Sequence, residues 1–308
     1  LPLLDWASCL NRLRRNNKQI NNMRKHIIYL ILVLTILSCK KDKFDSDRYL
    51  KIYETFDNEG FEAIQYEDNR IFILNSHLKR GETNSDYSGT DWNMELQEYG
   101  SKGEKISEKI FDNPYAMDIA RDMSFTKSGD LLVTGSIQEI TDFYFEQIRI
   151  LKVTKQLEPI WEKTYGNINS ADEGKCIIES NSNDIYIVGD GYFGAYLLKL
   201  NSQGDSLWTK IYDDMSLNAI SETNNGEFLI GGQTYYNTNV DFLYKIDSEG
   251  DLIWKKGISE IDWPDGYGYS TVCYSIIPSV GDKFIISGFT SKKSNSLGNF
   301  IIERLKPK

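Results

Sequence analysis

Histidine is nearly missing from this chain of 308 residues: there are two, His26 and His77. Metal centres built on several imidazoles are excluded by that count, and no Asp-x-Asp-x-Asp-Gly calcium loop occurs, so no metal and no cofactor is expected. A Ser-His-Asp or Cys-His arrangement would have to use one of the two. His77 opens a polar stretch running through Gly81 to Asp86 and reads as a solvated loop residue, so no catalytic residue is singled out. Cysteine is scarce too, at Cys9, Cys39, Cys176 and Cys273, and the last two are expected as buried free thiols packed as small hydrophobes. Long apolar runs are lacking. The longest, Ile27 to Leu37, is too short to span a bilayer.

What is present divides sharply near residue 39. Met23-Arg24-Lys25-His26 is a short basic region, followed by the apolar run and then Ser38-Cys39. This segment resembles a bacterial lipoprotein signal peptide. The resemblance implies cleavage before Cys39, lipid attachment at Cys39 and, with Lys40 rather than Asp next, an anchorage at the outer membrane on its periplasmic or surface face. Several acyl chains on one residue hold a protein on a membrane where one would not. Residues 1 to 22 then read as an upstream extension, 23 to 38 as the signal peptide and 39 to 48 as a polar tether. The formal net charge is -10; residues 1 to 38 carry six Arg and Lys against Asp5, so their removal leaves -15. So acidic a chain does not suit nucleic acid as a partner.

From residue 49 to 308 a unit recurs. Its anchor is a strand ending in Gly: Leu131 to Gly135, Ile185 to Gly189, Phe228 to Gly232 and Phe284 to Gly288, with Ile71 to Asn75 a degenerate first copy. A small or apolar inner strand precedes each anchor, an alternating strand follows, and a turn leads into a fourth. The turns Asn201-Ser202-Gln203-Gly204 and Asp247-Ser248-Glu249-Gly250 place a Trp four residues after the Gly, at Trp208 and Trp254. Trp161 and Lys163 hold the same places after a turn without Gly. The fifth unit runs out of chain before its fourth strand, while Tyr49 to Tyr53 matches Trp161 to Tyr165 and has no unit in front of it. The expected fold is therefore all-β: a five-bladed β-propeller with four-stranded blades, its last blade completed by the N-terminal strand. The recurring Lys51, Lys109, Lys163, Lys210 and Lys256 read as guards against edge-to-edge pairing.

The turn-plus-Trp segments resemble the repeat of quinoprotein-like (PQQ-like) propellers, in which such a Trp docks between blades. That likeness implies a fold and not an activity, since no vicinal cysteine pair or acidic cofactor cage is present. Carboxylates do fall on or near inner strands, at Glu62, Asp118, Asp172, Glu173, Glu179 and Glu222, and two acids across a cleft are what a glycosidase or lyase would need. The other pointer is aromatic. Trp92, Tyr192, Phe193, Tyr235, Tyr236, Trp263, Tyr267 and Tyr269 belong to connections expected on one face, mixed with acids. Such a face suits a protein or glycan partner, because rings bury area at low entropy cost. The expected function is a lipid-anchored envelope binding or scaffold module, with a glycan-active enzyme as the alternative.

Overall fold

A computed structural model of the chain describes residues 58–79, 91–113, 116–139, 145–167, 170–192, 194–213, 215–234, 241–257, 269–279, 283–292 and 295–305. Tyr49 to Tyr53, the tether, the leader and Cys39 lie outside them. The described residues are all-β, with no helix long and apolar enough to cross a membrane.

The first sheet is β1 (Asn58–Glu67), β2 (Arg70–Lys79), β3 (Asp91–Tyr99) and β4 (Lys105–Phe111); the second is β5 (Ala116–Phe125), β6 (Leu131–Glu139), β7 (Glu146–Val153) and β8 (Pro159–Tyr165). The third comprises β9 (Glu173–Glu179), β10 (Ile185–Gly191), β11 (Gly194–Leu200) and β12 (Ser206–Tyr212). The fourth has β13 (Met215–Glu222), β14 (Phe228–Thr234), β15 (Asp241–Ile246) and β16 (Leu252–Gly257). Three strands make the fifth among the described residues: β17 (Tyr269–Ser279), β18 (Lys283–Lys292) and β19 (Asn295–Leu305). Each sheet is a simple antiparallel meander in chain order.

Hydrophobic cores lie between successive sheets. Phe72, Leu74, Met94 and Leu96 of the first pack on Met123, Leu131 and Val133 of the second. Leu132, Ile148 and Ile150 of the second pack on Ile177, Ile185 and Ile187 of the third, and Tyr186 and Val188 on Phe228 and Ile230 of the fourth. Leu229 and Leu243 then meet Phe284 and Ile286 of the fifth. Face-to-face sheets whose first strands adjoin one another in sequence, β1 by β5, β5 by β9, β9 by β13 and β13 by β17, form the β-propeller arrangement. The middle strands therefore lose their polar alternation. All of β11 is buried, whereas β8 and β12 alternate between exposed and half-buried residues.

The second strands do not end at the recurring Gly but run past it, to Glu139, Gly191, Thr234 and Lys292, and that Gly, inside β6, β10, β14 and β18, has a steric cause. Every first strand bulges opposite it, leaving one residue unpaired: Glu62, Arg121, Lys175, Asn218 and Tyr274 in turn. The bulge presses a carbonyl onto the second strand. A Cβ on Gly135 would stand 1.9 Å from the Ile119 oxygen, and one on Gly189 equally near the Glu173 oxygen. Asn75 takes the place in the first sheet, buried, its amide donating to Glu95 Oε2 at 3.3 Å.

The turn glycines are sockets for tryptophan. Atoms of the Trp161 ring lie 3.1 Å from where a Cβ on Gly204 would stand, and Trp208 covers Gly250 in the same way. Tyr165 Oη donates to the Gly204 carbonyl and Tyr212 Oη to that of Gly250, the latter at 3.1 Å. The lysines read as edge guards act otherwise: Lys163 Nζ pairs with Asp205 at 3.1 Å, Lys210 with Asp251 at 2.5 Å and Lys109 with Glu158 at 3.7 Å, each reaching the next sheet's turn. Such exposed pairs contribute about 0–1 kcal/mol each, so the rings carry the hold and the lysines orient it. The turn before Trp161 keeps its shape without Gly. Leu157 takes φ 63°, at a cost of about 1–2 kcal/mol, offset by burial of its side chain in the core between the first two sheets.

Candidate functional site

The inner-strand carboxylates are the first place to look for chemistry. Asp118 on β5 is fully buried against Arg149 of β7, with Nη1 2.5 Å from Oδ2, and Arg149 Nε reaches Glu162 at 2.9 Å. Burial pushes the Asp118 carboxyl up to about 6, against the pull of Arg149. Asp172 is equally buried and ties a connection together, accepting from the Asn167 backbone N–H and from Ser170 Oγ, both at 2.7 Å. Glu173 holds Arg121. Glu179 accepts the Lys127 backbone N–H at 2.7 Å, and Glu222 accepts that of Asn181 at 2.7 Å, the same role one sheet further on. These five therefore organise the framework. Glu62 lies on β1, at the bulge.

Asp122 adds a half-buried acid that composition alone does not reveal. Its Oδ2 accepts the Ile177 N–H at 2.9 Å, and burial raises the carboxyl to about 6 despite that bond. Its proton is thus held more tightly in the folded chain than in the unfolded one, and stability falls as pH rises from about 4 through 6. Asn at Asp122 keeps an acceptor for Ile177 without the charge. Expected is a gain of about 1–2 kcal/mol at pH 7.5 and almost none at pH 4, read from urea unfolding; equal effects at both values would refute the assignment.

The expected aromatic face is only partly within the described residues. Tyr192 stands in the tight β10–β11 turn and is 78% exposed. Trp92 is not a loop residue: it pairs with Leu78 in β3 and is half-buried. Tyr269 begins β17. All three lie at the same end of their sheets, where second strands turn into third strands and new sheets begin. Phe193, Tyr235, Tyr236, Trp263 and Tyr267 lie outside the described residues. His77 likewise belongs to a strand, β2, opposite Asn93, with Nδ1 3.8 Å from Glu95 Oε2. Its stretch of sequence reads as a loop because the polar residues begin before the strand ends. Cys176 and Cys273 are not disulfide-bonded; Cys273 is buried as expected, whereas Cys176 is half-buried, and desolvation pushes its thiol well above the usual range.

The bulges bring together residues that local patterning hides. Arg121 pairs with Glu173, and Lys175 pairs with Asp190 while donating to Ser216 Oγ at 3.0 Å and Asn218 Oδ1 at 3.2 Å. Asp190 Oδ1 in turn accepts the Leu217 N–H at 3.2 Å. At the equivalent place on β17, Tyr274 is 51% exposed. Glu146 sits beside this group, its carboxyl held above the ordinary range by burial and then by the Glu173 charge. The result is a polar cluster around the first strands of adjacent sheets in which Arg121 and Lys175 each have a carboxylate partner, with Glu146 as an additional acid.

No known protein family matches the chain, and no curated protein matches it in sequence. Solved structures do. A protein of unknown function from Dyadobacter fermentans aligns with 79% of this chain and 83% of its own at 10% identity, with a TM-score of 0.50. A GH43_1 enzyme from Xanthomonas citri aligns with 80% of this chain and 86% of its own at 11% identity and a TM-score of 0.46. A protein of unknown function from Bacteroides caccae covers 70% of this chain and 69% of its own at 11% identity, with a TM-score of 0.44. At these identities, the likeness to the Dyadobacter protein is one of fold.

Proposed function

We propose that this chain is a cell-envelope binding module, tethered through lipid on Cys39, whose propeller engages a protein or glycan partner without cleaving it. The observation that carries this reading is the state of the inner-strand acids. Hydrolysis of a glycoside needs one carboxyl free to give a proton and another free to attack or activate water. Asp118, Asp172, Glu173, Glu179 and Glu222 are instead engaged with Arg149, with backbone N–H groups or with Arg121. Exposed Tyr192 and half-buried Trp92 at one end of the sheets support a contact face there, with Phe193, Tyr235, Tyr236, Trp263, Tyr267 and Tyr269 as its further members.

The reading includes a five-bladed ring with Tyr49 to Tyr53 as the fourth strand of the last blade. Internal covariation of the repeat supports it. Lys152, Lys199 and Lys245 on third strands stand opposite Trp161, Trp208 and Trp254 on fourth strands, with Lys199 Nζ 5.8 Å from the Trp208 ring centre. In the first sheet both partners change, to Glu98 opposite Ser107, joined by a hydrogen bond of 2.7 Å. Arg304 of β19 holds the cationic position, and in the proposed ring Tyr49 would supply the aromatic one.

The glycan-active alternative keeps one specific foothold, the raised carboxyl of Glu146 beside Glu173. The full chain assayed against aryl glycosides should release no nitrophenol above background, and Cys39→Ala should move it from membrane to soluble fractions. Turnover that disappears in Glu146→Gln would replace the binding reading with the enzymatic one; a Cys39→Ala protein that stays on the membrane would remove the tether.

A further inference from the structure

Among the residues left unpaired by the five bulges, the last two in chain order differ from the rest in what they offer. Asn218 on β13 receives Lys175 Nζ and Ser216 Oγ on its Oδ1, at 3.2 and 3.1 Å, yet its Nδ2 is buried with no hydrogen-bond partner among the described residues. A buried amide donor without an acceptor is costly, and an oxygen brought by a ligand would relieve that cost. Tyr274, on the strand adjoining β13, holds the matching place with half its surface open. About half of the Tyr274 side chain is thus left uncovered on an inner strand. It presents a flat apolar face to whatever enters.

The charges around the two decide what class of molecule fits. Arg121 is matched by Glu173 and Lys175 by Asp190, so the described cations bring their own counter-ions. A phosphate or carboxylate would have to displace Glu173 or Asp190, and a cation would compete with Arg121 or Lys175. Neither gains a net field. A neutral polyhydroxylated ring avoids both conflicts. Each hydroxyl both donates and accepts, which lets it join a Lys–Asp or Arg–Glu pair without breaking it. Its C–H face stacks on an aromatic ring, and an oxygen can accept the spare amide N–H.

We propose that Tyr274 and Asn218, flanked by the Lys175–Asp190 pair, form a binding site for a neutral saccharide unit at the inner strands, with Tyr274 as the stacking platform and Asn218 Nδ2 as the orienting donor. The site deepens the reading of this protein as a non-cleaving binder and rests on it. The full chain is applied to a microarray of neutral and acidic glycans, beside Tyr274→Ala, Tyr274→Phe, Asn218→Ala and Tyr192→Ala. Binding to neutral glycans is expected. It should drop at least about tenfold in Tyr274→Ala and Asn218→Ala, stay within about threefold in Tyr274→Phe, and survive in Tyr192→Ala. Circular dichroism and melting of each variant establish that it is folded; should Asn218→Ala unfold, the Tyr274→Ala and Tyr274→Phe contrast decides alone. An array on which no neutral glycan is bound, binding restricted to acidic glycans, or retention in Tyr274→Ala overturns the site. Glycan cleavage on the array would instead bring down the non-cleaving reading, which is read out separately as lost or shortened glycan.

Discussion

Alanine at Gly189 is expected to remove about 3–5 kcal/mol of stability, enough to leave much of the chain unfolded at ambient temperature. The added carbon would lie 1.9 Å from the Glu173 oxygen and 2.9 Å from that carbonyl's carbon. Both are backbone atoms, so no flexible side chain can swing aside. β9 must leave its bulged register, and with it the pairings Val188–Cys176 and Gly189–Gly174. Gly226 supplies the contrast. Its φ is +76° but nothing described lies within 4 Å of where a Cβ would stand, so Gly226→Ala should cost only about 1 kcal/mol, a conformational charge without a collision. Urea unfolding of the pair measures the difference. Losses of equal size would mean that the bulge contact is relaxed in solution and that the recurring Gly has some other cause.

The second large effect belongs to the Asp118–Arg149 pair. Arg149→Met leaves a carboxyl with no accessible surface facing a hydrophobic side chain, and the expected loss is about 3–5 kcal/mol at neutral pH. Adding Asp118→Leu should restore most of it, because a buried pair replaced whole by apolar groups is often near neutral. Acid separates the two explanations further. Asp118 is already raised to about 6 with Arg149 beside it, and without the guanidinium it rises further, so the deficit of Arg149→Met should shrink as pH falls and the acid takes up its proton. A deficit that stays constant from pH 4 to 8 would assign the loss to packing. A double variant weaker than the single one would show that the pair itself, and not its imbalance, stabilises the two sheets.

Much of this architecture could be read from the repeat. Leu131 to Gly135, Ile185 to Gly189 and their counterparts lie in second strands, which continue beyond the Gly, and Trp161 and Trp208 dock on the next sheet's turn as the resemblance to quinoprotein-like repeats implies. The signal was legible because sterics enforce it: where the carbonyl presses to 1.9 Å from a would-be Cβ, at Gly135 and Gly189, only Gly fits, and an indole face lies on the turn only where no side chain covers it. What escaped reading is equally physical. A bulge adds one residue to a period of two, so alternation assigns Arg121, Lys175, Asn218 and Tyr274 to the wrong side. Their constant place, fourteen residues before Gly135, Gly189, Gly232 and Gly288, was available and would have grouped them. Asp118 and Arg149 meet across three strands, and no local pattern announces a pair made by the sheet. Trp92 and His77 read as loop residues in sequence because a polar stretch between strands masks where pairing stops.

The tryptophan-on-glycine contacts have a bearing on how such a chain can change over generations. The third and fourth units carry both halves of the joint: a recess at their own turn, Gly204 or Gly250, and a protruding ring four residues later, Trp208 or Trp254. A segment of DNA encoding one such unit, copied in frame, therefore sets a matching ring against a matching recess at the new junction. Drift within a unit is constrained far more than the number of units. Leu157, which fills the recess position of the second sheet with a side chain turned into the core, shows what a lineage tolerates when one half of the joint is rebuilt.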